Sequence, residues 1–551
     1  MFAPQNQQPN VIDALSGSME EWYEAVDDAV KKSDVIPGNY EYTVATSYGN
    51  VGKIAEDSST YFDITCDRFK VISLDNSFIT VEQNIHINVP QNSQAGTIST
   101  YYIGYKYAAD CIDQYRIYSN TDLIQTQNHA RYEWFMMYNS ISDQAKENSD
   151  LYATLHKIRN MNPMVPGVYV DLSQIANGQQ FIDVHLKLRI PLSAFLTLFN
   201  LRFFPNWSGK LSIEIYPSYR NLVIAPVIPE EYLIEPSFIN VYKTGLKDSR
   251  PGFVNINQKA KNRFERKEEY KVNVPGQATQ NVAVSKTITW TANEQTFKCN
   301  GDGCYADKCK IRLATYLLKM DVFNALAMKY INVPLIFPIQ TVQIKDFTDE
   351  IPAGNEGQHF TTANTLALKH CDAIFTVFKA DEYARTCFEN PFIQFQFNVD
   401  GKLYPRESNI TFNDERFLNL TMDALNVNNS LLTSMSEDLR NSLQPFHLLY
   451  AANAQGALTS TLNYKGGDYS NFMIGIPFCD SEDFMGGIST TGTVQIELTG
   501  ERRLLPDIKY RATAICFEDA LLKIRAVKPN GRPQIEITNA DITQILAGAA
   551  V

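Results

Sequence analysis

A pattern written twice constrains this chain more than any other feature. Residues 189–215 carry Arg-Ile-Pro-Leu, a Phe-rich stretch, and then Gly-Lys-Leu-Ser-Ile-Glu-Ile from Gly209 to Ile215. Residues 475–498 carry Gly-Ile-Pro-Phe, a stretch containing Phe and Gly, and then Gly-Thr-Val-Gln-Ile-Glu-Leu from Gly492 to Leu498. In each copy an Ile-Pro pair introduces a turn, and a Gly precedes a strand with Ile-Glu near its end. Pro191 and Pro477 stand 286 positions apart. Two similar β-domains are the expectation, and 551 residues is too long for a single hydrophobic core.

The texture between the copies supports strands. Tyr40-Glu-Tyr-Thr-Val, Phe69 to Leu74, Phe78 to Ile87, Thr100 to Tyr107, Phe181 to Leu188 and Lys210 to Tyr216 alternate or are rich in β-branched and aromatic residues. Strand texture returns at Val282 to Thr291 and Ile311 to Met320, and Leu335 to Ile344 reads as a buried strand. Helices are few. Ser18 and Glu21 form a capping-box pattern ahead of Met19, Trp22, Tyr23, Val26, Ala29 and Val30 at helical spacing, so residues 18–32 are expected to be helical. That helix either packs under the first domain or forms an arm reaching a neighbour. Residues 143–162, 321–331 and 430–443 are further helical candidates, and Ile535 to Thr538 a terminal strand.

These signals divide the chain into an N-terminal arm (1–50), a first domain (51–228), a linker with a basic loop (229–269), a second domain (270–528) and a tail (529–551). The linker holds Lys259, Lys261, Arg263, Arg266 and Lys267, a cluster that reads as a solvated loop, with contact to nucleic acid or an acidic neighbour as the alternative. A weaker self-similarity relates Ile103–Ile124 to Leu313–Ile336 at an offset of 211–212. Set against the offset of 286, it places about 75 extra residues inside the second domain, near 345–445.

Chemistry is sparse. The chain has no phosphate-binding glycine loop, no His-Glu-x-x-His, no Gly-x-Ser-x-Gly and no dinucleotide fingerprint. His86 and His185 lie inside strands, as structural residues. Cys299, Cys304 and Cys309 stand in a Gly/Asp loop where they could bind a metal with a fourth ligand, pair as a disulfide, or remain free thiols. Tyr101, Tyr102, Tyr105 and Tyr107 are expected to pack rather than to stack on bases. No catalytic, cofactor-binding or metal-binding residue is therefore assigned, and no enzyme is expected. A net charge of −12 disfavours wholesale nucleic-acid coating. No run of 18 apolar residues predicts a membrane-spanning helix, and the N-terminus lacks the basic start and apolar core of a secretory signal.

Ile190-Pro191-Leu192-Ser193, Phe204-Pro205, Gly209 to Tyr216 and Asn221 to Ile224 resemble the end of the first jelly roll in double jelly-roll major capsid proteins. Ile476-Pro477-Phe478 and Gly486 to Leu498 resemble the end of the second, and Ser73 to Ile79 an early strand of the first. The resemblance runs in patches over roughly 60–525, nearest to the polinton (maverick), adintovirus and virophage group within the adenovirus-hexon-like lineage. It implies an all-β fold of two tandem eight-stranded jelly-roll β-sandwiches with short helices and loop insertions. It also implies a homotrimeric, pseudo-hexagonal capsomer in the virion, tiling an icosahedral shell around double-stranded DNA. Partners would be the chain itself, a penton and minor capsid proteins, without cofactor. A carbohydrate-binding or adhesion protein on a double β-sandwich, or a jelly-roll hydrolase, are the competing readings.

Overall fold

A computed structural model describes residues 21–26, 40–46, 54, 58–64, 70–88, 100–119, 121–140, 167–171, 181–195, 202–205, 211–226, 241–244, 254–255, 265–272, 282–289, 298–299, 305–332, 334–355, 357–380, 385–404, 410–411, 415–425, 446–452, 458–464, 471–479, 486–490, 492, 494–502, 509–524 and 535–538. The helical candidates at 143–162 and 430–443, Cys304, and Lys259, Lys261 and Arg263 of the basic loop lie outside these residues.

The first sandwich is built from β1 (Tyr40–Thr46), β2 (Thr60–Ile64), β3 (Lys70–Asn88), β4 (Ile112–Ser119), β5 (Asp122–Gln127), β6 (Phe181–Pro191), β7 (Leu211–Pro217) and β8 (Tyr305–Leu317). Its strands pair antiparallel in the orders β1-β8-β3-β6 and β2-β7-β4-β5. The second sandwich uses β9 (Leu335–Asp346), β10 (His359–Leu366), β11 (Cys371–Ala380), β12 (Phe392–Val399), β13 (Lys402–Tyr404), β14 (Met473–Pro477), β15 (Val494–Arg502) and β16 (Tyr510–Ile524). It pairs as β9-β16-β11-β14 and β10-β15-β12-β13. Counted within each unit, both read 1-8-3-6 and 2-7-4-5, which is the jelly-roll topology.

Side-chain alternation explains why these segments form half-buried sheets. Along β6, Val184, Leu186, Leu188 and Ile190 are buried, whereas Asp183, His185, Lys187 and Arg189 are exposed. Along β16 both faces are buried over most of its length, as in a strand covered on two sides. The duplicated pattern takes the same place in both units. Ile190 faces Ile79 of strand three, and Ile476 faces Ile374 of strand three. Ile213 and Ile496 are fully buried on strand seven of their units. The repeat is thus the sixth and seventh strands of each jelly roll.

Two expectations need correction. Residues 305–317, expected in the second domain, pair with β1 and β3 and complete the first sandwich. The extra length therefore lies in the first unit, between β7 and β8, where residues 241–244, 265–272 and 282–289 form a separate three-stranded sheet. The span 345–445 instead supplies β10 to β13 of the second sandwich. The offset of 211–212 fails for the same reason: it aligns the connection before β4 with the end of β8, β4 itself with the helix Met320–Asn332, and the start of β5 with the start of β9.

Helix α1 (Ala130–Asn139) follows β5, α2 (Met320–Asn332) joins the two sandwiches, and α3 (Glu415–Ala424) precedes β14. Residues 21–26 are helical and pack beneath the first sandwich. There Trp22 is fully buried, donates Nε1–H to the Phe203 carbonyl at 3.2 Å, and meets Tyr330 of α2 edge-on at 6.0 Å. Residues 535–538 add a strand to β16.

Candidate functional site

The two jelly rolls meet along a buried polar seam, and it is built from equivalent connections of both. From the first roll come the link between strands three and four (Lys106, Tyr107, Asp110, and Asp113 at the start of β4), the link between five and six (α1), and the link between seven and eight (Asn221). From the second come Arg385, Thr386 and Phe388 between strands three and four, Asn471 just before strand six, and Thr513 near the start of strand eight.

Lys106 is 0 % exposed. A buried ammonium needs acceptors, because desolvation otherwise costs several kcal/mol. Its Nζ donates to the Thr386 carbonyl at 3.2 Å and to Asn471 Oδ1, both in the second roll. It also lies 5.6 Å from the ring centres of Tyr107 and Phe135, close enough for cation–π attraction. Tyr107 donates to the same Asn471 oxygen at 3.4 Å.

Asp113 sits between two guanidiniums, one from each roll. Arg131 of α1 is 3.8 Å from one carboxylate oxygen, and Arg385 is 3.7 Å from the other. Asn221 donates to both the Asp110 carbonyl and Asp113. Beside them α1 makes apolar contact across the seam: Tyr132 stacks on Phe388 at 5.7 Å and Phe135 meets it edge-on at 4.7 Å. All ten residues of α1 are buried, so this helix has no solvent face.

Two carboxyl groups in this region are pushed up into the physiological pH range, and so are neutral below it. Burial pushes Asp110 up to about 8, against the opposing pull of Lys106 and a Tyr107 backbone N–H. Burial likewise pushes Glu133 up to about 7, although Tyr115 and Gln127 donate to it. One oxygen of each has no hydrogen-bond partner, so nothing there offsets the desolvation of the charged form. A further raised acid lies in the second roll. Asp372 is pushed up to about 8 by burial and by neighbouring Asp519, while Gln340 and Cys479 donate to it.

The three-cysteine run does not act as one ligand set. Cys299 is in a disulfide, whereas Cys309 is a free thiol buried in the first sandwich and pushed up to about 12 by burial. Among the described residues no group of three or more His, Cys, Asp and Glu is placed to hold a metal. His86 stacks on Phe181 and bonds Asp183 at 2.7 Å. Tyr101, Tyr102, Tyr105 and Tyr107 are buried packing residues. Lys106, Asp113, Arg131 and Arg385 were not legible as a group, because their partners are supplied from opposite halves of the chain.

No protein-family model matches the chain, and no curated protein matches it. Solved structures do. The crystal structure of the mavirus major capsid protein superposes with a TM-score of 0.50 at 8% identity, over 94% of this chain and 94% of that one. The Sputnik virophage structure from cryo-EM gives 0.48 at 7% identity, over 93% and 91%. At 8% identity the likeness to the mavirus protein is one of fold alone, and that fold is the tandem jelly roll described above.

Proposed function

We propose that this chain, which has the fold of a virophage major capsid protein, is itself a structural capsid protein and not an enzyme. One observation carries the reading. Two jelly rolls of the same 1-8-3-6 and 2-7-4-5 order are joined at equivalent ends by a buried polar seam. A pair held this way behaves as one rigid tile, with two quasi-equivalent sandwiches side by side. Three such chains supply six sandwiches, a pseudo-hexagonal capsomer able to tile an icosahedral shell around double-stranded DNA. A penton and minor capsid proteins would fill the remaining positions, and the virion would be the place of residence. Among the described residues no helix is long and apolar enough to cross a membrane.

Strand pairing supports a division into a first jelly roll over about 40–317, α2 as connector, and a second over about 335–538. The test is the mass of the purified chain in solution, followed by negative-stain microscopy. A stable trimer of the 62.4 kDa chain that forms hexagonal plates or shells is expected. A monomer that binds glycans sinks the reading in favour of the adhesion alternative.

A further inference from the structure

A guanidinium taken out of water needs acceptors for its donors, because an unmet donor costs its desolvation in full. The chain meets this demand elsewhere. Arg502, 1 % exposed, donates to the Gly354 and Pro352 carbonyls, and Lys106 is satisfied across the seam. Arg131 is different. It is 8 % exposed. Its Nη2 donates to the Tyr132 hydroxyl at 3.2 Å, but its Nε and Nη1 have no hydrogen-bond partner. Among the described residues no other lysine or arginine has a buried nitrogen in that condition.

Asp113 does not supply the lack. It stands 3.8 Å from Arg131 and 3.7 Å from Arg385, beyond hydrogen-bond reach, and accepts from Asn221 instead. Cations outnumber carboxylates at this place. Burial and the like charge of Arg131 hold Arg385 below its ordinary value against the pull of Asp113, and Arg220 adds to the repulsion. His129 is likewise held down by burial and then by Arg131, while Asp346 and Asp113 oppose them. Asp346 itself accepts from the Thr513 hydroxyl at 2.7 Å. The cluster thus sets three guanidiniums against two carboxylates, each already bonded to a neutral donor.

The cluster is also reachable. Arg220, in the turn after β7, is exposed, the Arg385 side chain is 25 % exposed, and Arg131 is the buried member. Helix α1 starts there at Ala130, and no side chain caps it at His129. The acid of its first turn, Glu133, bonds Tyr115 and Gln127 instead. An uncapped helix N-terminus offers unpaired N–H groups and a partial positive charge, which favour an anion. Water meets unpaired donors but brings no charge. A phosphate-type oxyanion meets both demands, because its tetrahedral oxygens accept from several guanidinium forks at once.

We infer that Arg131, Arg220 and Arg385 form an oxyanion site at the seam, taking a small phosphate between the two jelly rolls beside the start of α1. Arg131 supplies the buried donors, Arg385 brings the charge of the second roll, and Arg220 gathers the ligand from solvent. A phosphate held there clamps one roll to the other. The inference stands apart from the capsomer reading.

Isothermal titration calorimetry of the full chain with orthophosphate, in chloride at constant ionic strength and neutral pH, tests it. One phosphate per chain is expected, with a melting temperature that rises as phosphate replaces chloride. Arg385→Gln and Arg220→Gln each weaken binding by about tenfold or more. Lys187→Gln, on the exposed side of β6, binds as the wild type does. Arg131→Met abolishes binding; should it not fold, the two glutamine variants carry the test, since both positions reach solvent. No phosphate binding, with melting alike in phosphate and chloride, overturns the inference and leaves water to serve Arg131. Binding that neither glutamine variant weakens overturns it too. So does a chain that ignores orthophosphate yet is retained on duplex DNA through the same arginines, which makes the cluster a polynucleotide contact. Particle mass and microscopy decide the capsomer reading in every case.

Discussion

Tyr132, on the helix inserted by the first jelly roll, meets Thr513, on the last strand of the second, hydroxyl to hydroxyl at 3.1 Å. The two residues are 381 positions apart. Contacts of that kind make the two sandwiches one body, and the predictions below probe how strongly.

The Lys106 ammonium is the most demanding group in the seam. Lys106→Met leaves the Thr386 carbonyl and Asn471 without this donor, a loss of about 1–3 kcal/mol. Asn471→Leu takes one acceptor from a buried charge that keeps the Thr386 carbonyl and is expected to cost more, about 3 kcal/mol. Differential scanning calorimetry reads both, with N471L melting below K106M. Wild-type melting of both variants would show that the seam does not couple the rolls.

Stability should fall as pH rises towards 8. Asp110 and Glu133 have folded-state values raised to about 8 and about 7, above those of an unfolded chain. Between the unfolded and folded values the native state binds more protons, so their contribution is complete at low pH and is lost as pH rises through the folded value. Each group adds a slope of up to about 1.4 kcal/mol per pH unit in that window, and Asp372 acts in the same direction. Urea denaturation at pH 5.5 and 8 measures it, and Glu133→Gln, which keeps a carbonyl acceptor for Tyr115, should flatten the dependence. Equal stability at both pH values in the wild type contradicts the neutral assignment.

Gly475 has a packing role that can be isolated. Gly475→Ala drives a methyl group into Ala424 and Phe375 and should cost about 1–3 kcal/mol. Gly492→Ala, where a Cβ meets nothing within 4 Å, is the matched control and should be near neutral.

Trp22 ties the N-terminal helix to the first roll and to α2. Trp22→Ala empties a fully buried site and should cost about 3–5 kcal/mol. Thermal melting checks this, and an unchanged midpoint would mean that the helix is a dispensable arm.

What the sequence made legible was whatever repeats locally. The Ile-Pro and Ile-Glu copies marked strands six and seven of both rolls, and alternation located β3 and β6; Leu335 to Ile344, read as a buried strand, is β9, buried on one face only over its first half. The connecting helix expected at 321–331 is α2. Helix α1 escaped notice because Ala130 to Asn139 is buried on every side and offers no polar stripe from which a helical period could be read. The limit of the first roll escaped because β8 is recognisable only by its partners, β1 and β3. The seam escaped for the same reason: nothing near Asp113 in sequence announces Arg385.

The place of β8 bears on how the protein is made. It lies between β1 and β3, yet β7 ends at residue 217 and β8 begins at 305. At about 5–20 residues per second, a ribosome needs several seconds to cross that stretch. Through that interval β3 has already emerged with one edge unpaired, exposed to wrong partners. The first roll cannot close until more than half the chain is synthesised, and α1 cannot be covered until translation is nearly complete. Maturation of this protein is therefore a late, largely post-translational event, and slowing elongation between residues 217 and 305 should lengthen the period in which the nascent chain needs a chaperone.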